Sequence, residues 1–190
     1  MGTLYFISGG VRSGKSSFAE NWAIKQKKKR RSLIYLACGV NTDPEMKQRI
    51  IKHQQDRKES GGEWMTIECP ESIENIIALI PRQSVVLLDC LTTLLTNEIY
   101  VNGNQTEQEI EDKIYQSILH LQNRVDVLLL VSNELVYDLP MDSSTLLFQK
   151  HLGSLHRRLV CNASVAIEMT SGIPVVKKVT SSEGVGIPCC

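Results

Sequence analysis

The sequence predicts an α/β fold with a mostly parallel sheet, and three observations lead to this prediction. Apolar runs rich in β-branched and aromatic residues alternate along the chain with segments of helical periodicity. The runs are continuous rather than alternating, as is typical of strands covered by helices on both faces. A glycine-rich turn links the first run to the first helical segment. Strands that alternate with helices favour an open sheet with right-handed crossovers.

The predicted elements follow each other without a long linker or an internal repeat. Strands are predicted at residues 3–8, 32–38, 85–90, 125–132, 163–169 and 174–179. Helices are predicted at residues 16–28, 44–58, 71–79, 106–123 and 143–161. A chain of 190 residues has the length of one domain. We therefore expect one nucleotide-binding domain over residues 1–180 and a mobile tail at 181–190.

Composition and charge exclude several classes of protein. Hydrophobic residues make up 42% and charged residues 22% of the chain, as in ordinary globular proteins. The 21 basic and 21 acidic residues cancel, which argues against a protein that coats nucleic acid or an anionic membrane. No apolar run approaches the length of a bilayer span, and no signal segment is recognisable at the N-terminus. We expect a cytoplasmic protein with neither a nucleic-acid partner nor a membrane span.

A basic run and scattered cysteines have simple structural explanations. Residues 25–31 contain six basic residues in seven, and we expect them to form the charged end of the first helix rather than a nucleic-acid patch. The six cysteines include no C-x-x-C pair, which argues against a zinc ribbon. Cys38 and Cys90 end apolar runs and are predicted to be small buried residues.

The turn after the first strand matches the phosphate-binding pattern G-x-x-x-x-G-K-[ST]. It consists of Gly9, Gly10, Val11, Arg12, Ser13, Gly14, Lys15 and Ser16. The glycines let backbone N–H groups converge on phosphates at the positive end of the following helix. Lys15 is expected to reach the β- and γ-phosphates, and the Ser16 hydroxyl to bind Mg²⁺. The motif predicts a P-loop NTPase domain that uses GTP or ATP; the alternative is a glycine-rich turn that binds nothing.

Asp89 is the candidate carboxylate for the metal. It ends the apolar strand VVLLD, and P-loop enzymes place an acid near Mg²⁺ at the end of a buried strand. The alternative role is an N-cap of the helical segment that begins near Leu91. The two roles are compatible in geometry.

A second candidate group surrounds His53. Arg49, His53 and Arg57 are spaced by four and share one face of the predicted helix. Two guanidiniums favour the neutral imidazole, and Asp56 could fix its tautomer. Such a ring is equipped to attack phosphorus, and the arginines are candidates for binding phosphate. The alternatives are a surface histidine and arginines that only anchor the helix.

These residues, with further motifs, resemble a known family. In order come GGVRSGKS, R-I-x-x-H at 49–53, WMTIE at 64–68, LLDCLTTLLTN at 87–97, VSNE at 131–134 and S-G-I-P-V-x-K at 171–177. Over about residues 4–177 the chain resembles the adenosylcobinamide kinase/adenosylcobinamide-phosphate guanylyltransferase family of cobalamin biosynthesis. The P-loop is shared with many NTPases, whereas DCLTTLLTN and R-I-x-x-H are far more specific.

The resemblance implies a two-step enzyme with the fold of recombination ATPases. It would phosphorylate adenosylcobinamide and then transfer GMP from GTP to the resulting phosphate, with Mg²⁺ as cofactor. The covalent histidine of the family matches His53, which makes His53 and Lys15 the catalytic candidates. Glu68 and Asp89 join the P-loop as candidate nucleotide-binding residues. The family also implies a corrinoid substrate and a homotrimer.

The chain departs from the family late in the sequence. Residues 135–140 (LVYDLP) replace a glycine-containing loop, keeping only its proline. Further on, FQK at 148–150 and LHR at 155–157 stand where the family has F-R-D and L-N-Q. His151 and His156 lie in this helix; a catalytic role is one interpretation, but we expect both to be surface residues. Two other functions stay open: a small-molecule kinase without guanylyltransferase activity, and a nucleotide-regulated ATPase that binds DNA.

Overall fold

A seven-stranded, mostly parallel sheet forms the centre of the protein in the computed structural model. The structure describes residues 1–27, 31–39, 48, 51, 55, 57, 61–101, 105–135, 139–140 and 142–180. The strands are β1 (Thr3–Gly9), β2 (Ser32–Ala37), β3 (Trp64–Glu68), β4 (Ser84–Asp89), β5 (Val127–Asn133), β6 (Val165–Thr170) and β7 (Ile173–Val179). Their order across the sheet is β3-β2-β4-β5-β1-β6-β7, and only β7 is antiparallel to its neighbour. The predicted fold class is confirmed.

Helices cover both faces of the sheet, which explains the continuous apolar runs. They are α1 (Lys15–Gln26), α2 (Leu91–Val101), α3 (Glu107–Arg124) and α4 (Ser143–Asn162). On one face, Trp22 and Ala23 of α1 pack against Leu87 and Leu129 of the central strands. Buried leucines and isoleucines of α2, α3 and α4 pack on the opposite face. Within the described residues, no helix has both the length and the apolar character that a bilayer span requires.

Local sequence sets where α3 begins. Thr106 Oγ1 accepts a hydrogen bond from the Glu109 amide at 3.3 Å, and Glu109 Oε2 accepts one from the Thr106 amide at 2.8 Å. This capping box satisfies two amides that the first turn of a helix leaves without partners, and such a cap is worth about 1 kcal/mol. It places the start of α3 one residue after the predicted start, at Glu107.

All six predicted strands are present, but β3 was not predicted, and α2 was anticipated only as a helical segment that begins near Leu91. β3 lies at the edge of the sheet, and its side chains are exposed or half-buried, so the segment lacks a clear apolar run. α2 buries polar as well as apolar side chains, including Thr92 and Glu98, and this dilutes its helical pattern. The predicted tail at 181–190 lies outside the described residues.

The helix predicted at residues 71–79 is wrong. Two 3₁₀ turns, Ile73–Asn75 and Ile77–Leu79, take its place. Ser72 has a φ of 51°, in the left-handed region, and Arg124 donates hydrogen bonds to the carbonyl oxygens of Ala78 and Ile80. The left-handed backbone of Ser72 interrupts an α-helix near the start of the segment. The helix predicted at 44–58 lies mostly outside the described residues, although residues 48, 51, 55 and 57 are helical.

The prediction that His151 is a surface residue is also wrong. Only 7% of His151 is exposed, and its Nδ1 lies 2.9 Å from Oε2 of Glu111, which is 1% exposed. Ser154 and Arg158 donate to the other oxygen of Glu111 at 2.7 and 2.9 Å. Burial alone would raise the pKa of Glu111, but the hydrogen bonds from Ser154, His151 and Arg158 outweigh it and lower the pKa. His151 therefore links α4 to α3.

Glu111→Ala should destabilise the fold by about 3 kcal/mol, because it leaves the buried side of His151 and one contact of Arg158 without an acceptor. Urea unfolding followed by circular dichroism measures this effect. The matched control is Asp112→Ala, which removes the second carboxylate bound by Arg158, at 2.7 Å on the exposed side of α3. We expect a much smaller loss for Asp112→Ala; equal losses for the two variants would contradict the assigned role of Glu111.

Candidate nucleotide-binding site

The candidate site lies at the carboxyl ends of the parallel strands, along one side of the sheet. Gly9 pairs with Asn133, Asp89 pairs with Val131, and Ala37 lies between Asp89 and Glu68. Neighbouring strands are about 4.8 Å apart, so Asp89 lies two strands, or about 10 Å, from both Gly9 and Glu68. The register thus brings the three sequence-predicted regions to one edge, with Glu68 exposed at the outer end.

The turn between β1 and α1 has the backbone that its glycines predict. Gly14, at the N-cap of α1, has a φ of 84°, which is strained for any residue with a Cβ. A Cβ on Gly9 would lie 2.6 Å from the carbonyl oxygen of Met169 on β6. Gly10 and the exposed residues Val11 and Arg12 complete the outer side of the turn.

Two side chains of the turn are buried in a way that suits phosphate. Lys15 is 8% exposed, and its Nζ donates to the carbonyl oxygen of Gly10 at 3.0 Å, so the ammonium lies across the turn. The Ser13 hydroxyl is buried and has no hydrogen-bond partner among the described residues. Leaving a buried hydroxyl without a partner costs about 1–3 kcal/mol, and a phosphate oxygen would supply that partner. Ser16 is half-buried in the first turn of α1.

The hairpin that ends the sheet also touches this turn, a contact that the sequence analysis missed. Between β6 and β7, Ser171 and Gly172 have φ values of 51° and 83°. The Gly172 amide donates to the carbonyl oxygen of Ser13 at 3.1 Å. The motif S-G-I-P-V-x-K therefore begins in a turn that contacts the P-loop.

Asp89 faces the side of the sheet that α1 covers. Its Oδ2 accepts a hydrogen bond from the Tyr35 hydroxyl at 2.8 Å. Burial, followed by the charge of Asp89, raises the pKa of Tyr35 well above its usual value, so Tyr35 stays a donor. Burial and the Asp89 charge also raise the pKa of Cys90, while a hydrogen bond with Thr93 and the Lys15 ammonium lower it. The charges of Asp89 and Lys15 therefore both act on the Cys90 thiol.

Arg57 is held in a buried contact behind Asp89. It is 4% exposed, and its Nη1 lies 3.3 Å from Oε1 of Glu20 on α1, which is equally buried. The guanidinium carbon lies 3.6 Å above the centre of the Tyr35 ring. These contacts favour the anchoring alternative for Arg57 over phosphate binding. Arg49 and His53 lie outside the described residues.

A second polar cluster lies on the opposite face of the sheet, below the same turn. Ser132 Oγ lies 2.7 Å from Nε2 of His156 and 3.1 Å from Oγ1 of Thr92, and Thr92 Oγ1 accepts a hydrogen bond from the Asn133 amide at 2.8 Å. Burial lowers the pKa of His156 to about 4, so its ring is neutral at neutral pH. The prediction that His156 is a surface residue is therefore wrong.

The donor set fits a magnesium ion that is held together with a nucleotide. Mg²⁺ prefers oxygen ligands and commonly combines one or two protein oxygens with phosphate oxygens and water. The Ser16 hydroxyl and the Asp89 carboxylate offer oxygen atoms of this kind. Among the described residues, no cluster of three or more histidine, cysteine, aspartate and glutamate side chains could hold a metal by itself.

The parallel sheet, the turn and its buried lysine define a P-loop nucleotide-binding domain. The model of the family described as cobinamide kinase/cobinamide phosphate guanyltransferase matches residues 5–177, and the chain belongs to this family. The resemblance noted from the motifs is thus confirmed.

Curated relatives match along almost their whole length. The chain is 30% identical to the bifunctional adenosylcobalamin biosynthesis protein CobU of Escherichia coli and 28% identical to that of Salmonella typhimurium; each alignment covers 90% of this chain and 98% of the relative. It is 27% identical to the bifunctional adenosylcobalamin biosynthesis protein CobP of Pseudomonas aeruginosa, over 90% of this chain and 95% of the relative.

Two solved structures share the fold at low sequence identity. One, described as an ATPase domain, has a TM-score of 0.54 at 12% identity, covering 87% of this chain and 68% of that chain. The flagellar accessory protein FlaH from Methanocaldococcus jannaschii has a TM-score of 0.54 at 14% identity, covering 93% of this chain and 78% of that chain. The expected likeness to P-loop ATPases is confirmed at the level of the fold.

Proposed function

We propose that this protein is a bifunctional enzyme of cobalamin biosynthesis. It phosphorylates adenosylcobinamide and then transfers GMP from GTP to adenosylcobinamide phosphate, through a covalent guanylyl group on His53. Membership of the family and the names of its bifunctional relatives support the two activities.

The structural observation that supports the role of His53 is the buried contact of Arg57. Arg57 follows His53 by four residues, so the two share one face of the predicted helix. The contacts of Arg57 with Glu20 of the P-loop helix and with Tyr35, which binds Asp89, anchor the end of this helix beside the nucleotide site. This anchoring supports a nucleophile that acts on the same nucleotide.

The kinase step requires positioning and charge stabilisation more than covalent chemistry. The acceptor hydroxyl oxygen attacks the γ-phosphorus, the bond to the β-phosphate oxygen breaks, and the hydroxyl proton is released. Lys15 and the amides of the P-loop stabilise the transferred group. Ser16 and Asp89 would hold Mg²⁺, which, when bound, neutralises charge on the triphosphate.

The transfer step breaks the bond between the α- and β-phosphates instead. A ring nitrogen of His53 attacks the α-phosphorus of GTP, an N–P bond forms, and pyrophosphate leaves. A phosphate oxygen of adenosylcobinamide phosphate then attacks the same phosphorus, and the N–P bond breaks to free the histidine. A covalent intermediate divides the exchange into two displacements.

Labelling with GTP tests the histidine directly. Incubation with α-³²P-GTP should leave acid-labile radioactivity on the wild-type protein after denaturing electrophoresis, whereas γ-³²P-GTP should leave none. His53→Asn should lose the label. His120→Asn, which changes an exposed histidine on α3, should keep it. Label retained on His53→Asn would contradict the assignment.

The same material separates the two alternatives. Phosphorylation of the acceptor without any covalent label would favour a small-molecule kinase that lacks guanylyltransferase activity. Hydrolysis that DNA stimulates would favour the DNA-binding ATPase, although the balanced charge of the chain argues against it.

A further inference from the structure

We propose that His156 is a positioning residue for the P-loop, acting through Ser132 and Thr92 on the end of β5. The inference rests on the proposed nucleotide site but concerns how tightly that site holds GTP, not the covalent transfer.

The hydrogen bonds around Ser132 can be assigned a direction. The Asn133 amide donates to Thr92 Oγ1, which leaves the Thr92 hydroxyl proton available to Ser132 Oγ at 3.1 Å; we assign this direction to the contact. The Ser132 proton is then directed to Nε2 of His156 at 2.7 Å. In this arrangement the neutral ring carries its proton on Nδ1, and the chain of donors ends on its lone pair. The Ser132 hydroxyl proton has this acceptor only while His156 is present.

The same strand end is bonded to the P-loop. Asn133 pairs with Gly9, and the amide of the next residue, Glu134, donates to the carbonyl oxygen of Gly9 at 3.0 Å. Gly9 is the first residue of the phosphate-binding turn. A displacement of residues 132–134 would therefore also displace Gly9, where the phosphate-binding turn begins.

Helix α4 holds this strand end at two points. Besides the contact of His156, Gln149 Nε2 donates to the carbonyl oxygen of Leu135 at 3.1 Å. The His156 ring also meets Phe6 of β1 edge-on, with ring centres 5.1 Å apart. His156 therefore contacts both strands, β5 directly and β1 through Phe6, whose carboxyl ends carry the turn.

Small displacements of the turn matter because its backbone amides must point at the phosphates before the nucleotide binds. A misplacement of a positioning group by about 1 Å can lower the rate of an enzyme about 10²-fold. We expect a smaller effect, a roughly tenfold weaker affinity for GTP, because the strands themselves keep their pairing when one side-chain contact is lost.

The test measures the dissociation constant for GTP by calorimetry, together with the unfolding temperature, in five variants. His156→Ala should raise the dissociation constant about tenfold, which equals about 1.4 kcal/mol. His156→Gln can place an acceptor near the position of Nε2 and should restore most of the affinity. Ser132→Ala should weaken binding, and the double variant with His156→Ala should bind no more weakly than His156→Ala alone.

His151→Ala is the matched control, because it removes a buried histidine from the same helix that contacts Glu111 instead. It should lower the unfolding temperature without changing the affinity for GTP. If His156→Ala also changes only the unfolding temperature, or if its effect adds to that of Ser132→Ala, the proposal is overturned. A wild-type protein that binds GTP but carries no covalent label would overturn the guanylyl transfer and not this inference.

Discussion

Lys15→Ala should abolish the use of triphosphates in both half-reactions. The Lys15 ammonium is almost fully buried and lies across the turn, held by the carbonyl oxygen of Gly10. No other lysine belongs to this turn, so in either step the β- and γ-phosphates would lose the buried ammonium assigned to them. Removal of one such preorganised group typically costs about 10²–10³-fold in rate. Phosphate transfer from γ-³²P-ATP or γ-³²P-GTP, and pyrophosphate release from GTP, measure the two steps separately.

Lys25→Ala is the matched control, since Lys25 is an exposed lysine in the last turn of the same helix. It should leave both rates unchanged. If Lys15→Ala keeps either activity near the wild-type rate, Lys15 is not the phosphate-binding residue of that step.

Asp89→Asn should reduce both rates by about 10²-fold, because it removes the negative charge from the carboxylate assigned to Mg²⁺. The amide keeps the size of the side chain and an acceptor for Tyr35, so the fold should be preserved. Raising the magnesium concentration should recover part of the rate if the variant binds the ion more weakly. Rates measured across a magnesium titration test this expectation.

Asp126→Asn provides the comparison for Asp89. Asp126 precedes β5, at the amino end of the strand and so far from the candidate site, and it pairs with Arg31 at 2.8 Å. Its loss should affect neither the rates nor their dependence on magnesium. An Asp89→Asn enzyme with the magnesium response of the wild type would leave Asp89 without a role in metal binding.

The sequence predicted those features whose cause is local. The P-loop was identifiable because eight consecutive residues carry both its backbone requirement and its chemistry. Five of the six predicted strands were identifiable because helices bury them on both faces; β7 is mostly exposed and was identifiable only from its run of apolar and β-branched residues. β3 was missed because an edge strand buries little. The helix at 71–79 was wrongly predicted because Ser72, near its start, adopts a left-handed backbone conformation.

The rest of the site depends on contacts between distant segments. Ser132 and His156 are joined only because a helix returns across the face of the sheet. Periodicity placed His156 on a helix but did not indicate which of its faces the sheet would cover. The pairing of Arg57 with Glu20 likewise joins residues 37 positions apart. From spacing alone, Arg57 could be either an anchor of its helix or a phosphate ligand.

The contact between Gly172 and Ser13 has a consequence for how the protein is made. The glycine turn leaves the ribosome early, whereas β6 and the hairpin beside it are synthesised about 150 residues later. Until then β1 lacks one of its two neighbouring strands, and such long-range pairing slows folding. A nascent chain that stops before residue 163 should therefore be unable to retain GTP, because the strand that closes around the early turn has not yet been made.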